Sequence, residues 1–319
     1  MKRLKCFKGM TEGRKMFLTV MIIFIAYSAV FIIFEDYDRQ GVNPLDSPLD
    51  WHLLWFSLAV ALVLGLLLHH YARRVDNRIS REQAAKQNDT RREMTQNIAH
   101  ELKTPVASIL GFTETLLDNP DLDAATQRQF IERSHAQAQR LTALLQDISI
   151  LNRMDYATDV LDIRPVDLTQ LVADIVEETA IPLRNKHMTL ENCLPENIKV
   201  EGNTSLLYSI FRNLIDNAIS YSGEGTSIRM EARNMGDHWQ FTFADNGSGV
   251  PTQHLERIFE RFYRIDKGRS RTMGGTGLGL AIVKNAIQTH GGIITAYNQL
   301  HGGLCFHFTL QKKFPKEKK

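Results

Sequence analysis

Residues 274–284 read Gly-Gly-Thr-Gly-Leu-Gly-Leu-Ala-Ile-Val-Lys. Gly275, Gly277 and Gly279 alternate and then run into an apolar helical stretch, with Thr276 and Leu278 between them. Glycine lets backbone approach a ligand closely, and a helix N-terminus offers free N–H groups and partial positive charge to phosphate. Upstream, Asp245-Asn-Gly-Ser-Gly-Val250 follows a strand-like run, Trp239–Ala244. A carboxylate at a strand end can accept a hydrogen bond from an exocyclic amine, and Gly247 and Gly249 would let a flat ring lie close. Read alone, the same stretch is ordinary turn chemistry. In Arg212-Asn-Leu-Ile-Asp-Asn-Ala-Ile-Ser-Tyr221, Asn213 and Asn217 are four apart and share a helix face. Two amide oxygens there suit Mg²⁺, which takes oxygen ligands and shares its coordination with waters and phosphates; in isolation they read equally as surface asparagines.

His100 lies in Asn97-Ile-Ala-His-Glu-Leu-Lys-Thr-Pro105. It stands roughly 200° round a helix from Leu102, away from the apolar stripe, with Thr104 one turn on. An exposed neutral imidazole carries a ring nitrogen with a free lone pair and can act as a nucleophile. A lone histidine of this kind is more often a solvated surface residue. Pro105 should bend the helix. A fourth stretch, Ile258-Phe-Glu-Arg-Phe-Tyr-Arg264, leads into Lys267-Gly-Arg-Ser-Arg271. Phe259 and Phe262 could anchor a mobile segment, and Arg264, Lys267, Arg269 and Arg271 could meet phosphates; a solvated loop is the plain alternative.

These groups need positioning elements. Leu102, Val106, Ile109, Thr113 and Leu116 fall on one helical face, as do Leu141, Leu144, Leu145, Ile148 and Leu151. They predict a hairpin of helices 94–118 and 124–155 turning at Asn119-Pro120-Asp121. Two amphipathic helices cannot bury both stripes between themselves, and a dimer of hairpins, a four-helix bundle, would solve this. From about residue 160, β-like runs (188–190, 227–233, 239–244, 292–298, 304–310) alternate with helical runs near 167–180, 204–220 and 276–290. This is the pattern of an α/β layer of ordinary domain size.

The chain has 319 residues, 38 Lys+Arg against 36 Asp+Glu, and a formal net charge of +2, so its total charge gives no sign of direct nucleic-acid binding. Its distribution says more. Positive residues before position 16 and from Arg73 to Arg81 bracket two uncharged apolar runs, Met16–Phe34 and Trp51–Leu68. Each is about the ~20 residues needed to span a bilayer as helix. Positive flanks stay cytoplasmic, so both termini should lie inside and residues 35–50 outside. Buried core helices, or a signal peptide for the first run, are the alternatives; the first run ends in Phe31-Ile32-Ile33-Phe34, without a small-residue cleavage site. Cys6, Cys193 and Cys305 are far apart and predict no disulfide.

His-Glu-x-x-Thr-Pro, Asn-x-x-x-Asn, Asp-x-Gly-x-Gly, Phe-x-x-Phe and Gly-x-Gly-x-Gly occur in this order over about residues 90–312. Together they resemble the sensor histidine kinases of bacterial two-component systems, whose ATP domain is shared with gyrase-like and Hsp90-like ATPases. The resemblance implies a multidomain chain: two transmembrane helices, an antiparallel helical hairpin forming a dimeric four-helix bundle, then an α/β sandwich that binds ATP. The implied division is a cytoplasmic segment 1–15, membrane helices 16–34 and 51–70 around a short extracytoplasmic loop 35–50, and a dimerisation and phosphotransfer hairpin 71–157. The ATP-binding catalytic domain 158–312 and a basic tail 313–319 follow.

By the same resemblance, His100 is phosphorylated, Glu101 assists proton removal, and Thr104 orients water during dephosphorylation of the partner. Asn217 with Asn213 holds Mg²⁺. Asp245 reads adenine, Tyr221 stacks on it, and Gly275, Gly277 and Gly279, with Thr276 and Leu278, close the phosphate side. The implied partners are a response-regulator receiver domain and a second copy of the chain, at the bacterial inner (cytoplasmic) membrane. The sixteen-residue outer loop leaves little room for a ligand pocket, so the stimulus is expected within the membrane or through a membrane-protein sensor partner. Two departures stand out: Ser220 where many members carry lysine, and Asn203 where aspartate is usual. Gly-x-x-x-x-Gly-Lys-Ser/Thr and the Ser/Thr-kinase signatures are absent. Two rival readings are a non-catalytic receptor that only binds nucleotide and a gyrase- or Hsp90-type ATPase.

Overall fold

The computed structural model describes residues 48–156, 161–265 and 275–315, with Met21, Ile22, Phe24, Ile25 and Ser28, which are helical. The rest of the expected first membrane helix, segment 1–15, loop residues 35–47, Cys6, Lys267, Arg269, Arg271 and the end of the basic tail lie outside the described residues. The chain divides into two compact units, Met1–Glu93 and Met94–Lys319.

Helix α1 runs from Pro48 to Asp118. The expected membrane helix 51–70 and the first hairpin helix are therefore parts of one helix. Residues 71–93 contain neither glycine nor proline to break it. Within the first unit, Ser57–Arg81 is long and apolar enough to cross a membrane, with mean hydropathy 1.3, and is the single such stretch among the described residues. Leu62 and Leu66 there are 66% and 62% exposed.

In the second unit α1 continues through Pro105 and turns into α2, Ala124–Tyr156. Asp123 caps α2, its Oδ1 accepting from the amides of Ala125 (3.0 Å) and Thr126 (2.9 Å). Leu144, Leu151 and Met154 of α2 are buried in the same apolar cluster as the following domain. Val106, Leu110 and Leu117 of α1 and Ile131 and Leu145 of α2 remain exposed.

The following elements are β1 (Arg164–Asp167), α3 (Leu168–Glu178), α4 (Ala180–Asn185), β2 (Thr189–Cys193), β3 (Lys199–Gly202), α5 (Thr204–Tyr221), β4 (Ser227–Asn234), β5 (His238–Asp245), α6 (Gly279–Thr289), β6 (Ile294–Asn298) and β7 (Leu304–Gln311). Five strands form one sheet in the order β2-β4-β5-β7-β6, with β2 parallel to β4 and the other pairs antiparallel. β1 and β3, absent from the sequence-based expectation, pair as a separate antiparallel ribbon. The expected helix 167–180 ends at Glu178, and the one near 276–290 begins only at Gly279. Gly277 explains the later start: its φ of +74° is not helical.

Helix α5 forms as the sequence dictates. Asn203 caps it by accepting from the amide of Leu206 at 3.1 Å, and Leu206, Ile210 and Leu214 are buried. Phe211 of α5 packs edge-on against Phe241 and Phe308, which stack at 5.0 Å across β5 and β7. Trp239, Phe241, Phe243 and Asp245 alternate along β5 and all face inward. The period of two thus carries a carboxylate to the end of an aromatic row.

At the other end of α6, His290 is buried against Phe314. Its Nε2 accepts from the amide of Asn203 (3.1 Å) while Nδ1 lies 2.7 Å from the carbonyl of Ala286, so the ring is neutral with its proton on Nδ1. Burial holds the imidazole below its usual titration range, against a smaller opposing pull from the Ala286 carbonyl. A depressed folded value means that this stability is complete above about pH 6.5 and is lost as pH falls through the folded value, at up to ~1.4 kcal/mol per pH unit. Thermal unfolding from pH 7.5 to 5 should show a loss of stability in the wild type that His290→Gln lacks.

Candidate functional site

A cavity of about 470 Å³ opens where the end of α5, the end of β5 with its following loop, and the start of α6 converge. Of the sequence-derived residues, Asn217, Tyr221, Asp245, Gly249, Arg264 and Gly277 line it. Asp245 is 5% exposed. Its Oδ1 accepts from the amides of Gly247 (2.9 Å) and Leu304 (3.4 Å), and Oδ2 has no hydrogen-bond partner among the described residues. A buried carboxylate with one oxygen fixed by backbone and the other open to a cavity is an acceptor awaiting a donor. Tyr221 presents a half-exposed ring, and the Asn217 side chain makes no hydrogen bond among the described residues.

The remaining expected residues stand elsewhere. The Asn213 amide donates to the carbonyl of Ser209 at 2.8 Å, and its oxygen packs against Gly279, where a Cβ would fall 2.6 Å away. Asn213 therefore turns toward the start of α6 and not into the cavity. Gly247 lets its loop lie on the end of α5; a Cβ there would meet the Ser222 backbone at 2.6 Å. Phe259 packs edge-on against Phe306 at 6.1 Å, so it serves the core. Leu278 is fully buried. Gly275, Thr276 and Gly279 also fall outside the cavity wall.

Sequence reasoning missed Lys186, Ser222, Ile258, Tyr263, Leu280 and Leu304, which also line the cavity. Lys186 is anchored by donation from Nζ to the carbonyl of Ile219 at 2.6 Å. Its distance in sequence from any motif hid it. Ile258 and Leu280 sit inside motifs already singled out, but apolar periodicity alone could not separate cavity wall from core.

His100 is exposed on α1, and the Thr104 hydroxyl donates to its carbonyl at 3.3 Å. Glu101 is more enclosed. Its Oε2 receives Nη2 of Arg264 at 3.1 Å and Nη2 of Arg140 at 3.4 Å. The same Arg264 nitrogen donates to the carbonyl of Gly275 at 2.6 Å. Thr276 donates to Asp147 of α2 at 2.7 Å. Burial pushes the Asp147 carboxyl above its usual value, partly offset by the Thr276 hydroxyl and reinforced by the charge of Asp216. The stretch expected to close on phosphate thus contacts the hairpin through Arg264 and Thr276.

A histidine-bearing hairpin joined to a cavity with this acidic and glycine-rich wall has counterparts among known proteins. Residues 90–157 match the His Kinase A (phospho-acceptor) domain, and residues 202–313 match the histidine kinase-, DNA gyrase B- and HSP90-like ATPase family. The chain belongs to the sensor histidine kinases. The chain is 36% identical over 226 residues to the sensor-like histidine kinase SenX3 of Mycolicibacterium smegmatis, covering 71% of this chain and 59% of the relative. It is 34% identical over 226 residues to the phosphate regulon sensor protein PhoR of Haemophilus influenzae, covering 71% and 52%. It therefore spans little more than half of these curated relatives. Its fold is shared by the Acinetobacter baumannii histidine kinase AdeS (22% identity, TM-score 0.55, 67% of this chain and 98% of that one). Full-length ShkA in complex with AMPPNP is also similar (26% identity, TM-score 0.51, 68% of this chain and 45% of that one).

Proposed function

We propose that the chain binds ATP in the 470 Å³ cavity, phosphorylates His100, and passes the phosphoryl group to an aspartate of a response regulator, with a phosphatase activity towards that regulator in which Thr104 orients the attacking water. The observation that carries this reading is the open Oδ2 of Asp245 at the cavity wall, placed to accept from the adenine amine. Tyr221 stacks on the purine, and Gly249 lets it lie close. The ATP analogue bound by ShkA supports the same choice of ligand.

A neutral His100 has one ring nitrogen with a free lone pair and one carrying a proton. The free nitrogen attacks the γ-phosphorus, the N–P bond forms as the bond to the ADP oxygen breaks, and Glu101 takes the ring proton. Positioning and charge neutralisation supply most of the rate in such transfers. No cluster of three His, Cys, Asp or Glu ligands exists among the described residues. An ion that relies on phosphate and water, as Mg²⁺ does, fits the unpartnered Asn217 amide. There it would neutralise phosphate charge. Asn213 would join only by turning from Ser209. Gly275, Thr276, Leu278 and Gly279 act behind the phosphate side by shaping the entry to α6, and Arg264 reaches phosphate on leaving Glu101. Gly247 sets the loop, and Phe259 steadies its neighbour Ile258 from the core side.

Helices 16–34 and 51–70 cross the bacterial inner membrane with both termini inside. The exposure of Leu62 and Leu66 supports the second of these helices, because such surface needs lipid or protein cover. The exposed apolar residues of α1 and α2 support a homodimeric four-helix bundle. The stimulus arrives within the membrane or through a membrane-protein partner. The divisions at 1–15, 35–50, 71–157, 158–312 and 313–319 follow.

The full chain in vesicles, given γ-labelled ATP, should acquire label stable to alkali and labile to acid. ATP turnover without labelled protein would overturn the reading in favour of an ATPase. Among purified response regulators, one should then remove the label quickly.

A further inference from the structure

Glu101 has two arginine partners of different kinds. Arg264 belongs to the ATP domain, also lines the nucleotide cavity, and holds the Gly275 carbonyl. Arg140 belongs to α2, so it and Glu101 both lie in the hairpin. Both side chains of that pair are enclosed, at 12% and 16% exposure. The contact is made to Oε2 alone, and Oε1 has no hydrogen-bond partner among the described residues.

We infer that Arg140 is a positioning residue for phosphoryl transfer: it pins Oε2 of Glu101 so that Oε1 is presented to the neighbouring His100 when Arg264 departs for nucleotide. Neighbouring helix residues do not face each other by backbone geometry alone. A glutamate at this position has three free torsions, and an unrestrained carboxylate spends most of its time out of reach of the imidazole. A guanidinium holding one oxygen limits those torsions while leaving the second oxygen's lone pairs unused. The inference rests on the reading that Glu101 takes the His100 proton.

The test uses the full-length chain and the kcat and KM for ATP of autophosphorylation. Positioned general bases contribute about 10²–10⁴-fold, and losing the orientation alone should lower kcat about tenfold in Arg140→Met. KM for ATP and the melting temperature should hold, and Arg140→Lys should recover part of the loss. In a Glu101→Gln background, Arg140→Met should change kcat less than about twofold, because residues that act through one another are not additive. If Arg140→Met costs the same factor in both backgrounds, or acts through KM or melting, Arg140 does not work through Glu101 and the inference falls. If Glu101→Gln alone leaves kcat untouched, the reading of Glu101 falls and the inference with it.

Discussion

His100→Gln should abolish phosphoprotein formation, lowering the incorporated label by at least ~10³-fold, because an amide nitrogen has no basic lone pair to attack phosphorus. The same variant should bind nucleotide as the wild type does, since His100 does not line the cavity. It should also unfold at the wild-type temperature, because substitution of an exposed side chain of this kind changes stability by only about ±0.5 kcal/mol. Labelling assays, nucleotide titration and thermal unfolding together check it. Label retained in the variant would place the phosphoryl group on another residue.

Asp245→Asn should weaken ATP binding by roughly 10–100-fold, the equivalent of a lost hydrogen bond to a charged group at about 1.5–3 kcal/mol. The amide oxygen can still accept from Gly247 in place of Oδ1, so the loop should persist. What changes is the outer position, where an NH₂ would face the purine amine donor against donor. Calorimetric titration with ATP measures the loss. Inosine triphosphate, which presents an oxygen where adenine has its amine, should lose far less or gain. Equal weakening of both nucleotides would mean that Asp245 supports the cavity without reading the base.

These two residues were legible for different reasons. The alternation of β5 is explicit in Trp239, Phe241 and Phe243, and counting two further lands on Asp245. The stripe of α1 and the offset of His100 from Leu102 gave the histidine's exposure. Local periodicity could not supply partners far apart in sequence: Arg264 meets Glu101 across 163 positions, and Arg140 meets it across 39. The ribbon of β1 and β3 was hidden because each strand has four residues and pairs only non-locally. Phe259 and Asn213 carried the right residue types for a site, yet Phe306 and Ser209 offered them closer partners.

The burial of Leu144, Leu151 and Met154 against the ATP domain has a thermal consequence. For the nucleotide-bearing half to swing out, oily surface must be wetted, and wetting such surface raises the heat capacity. Apolar adhesion fades on cooling. Any equilibrium that separates α2 from the ATP domain would therefore curve with temperature, bent by the heat capacity of the apolar surface it wets.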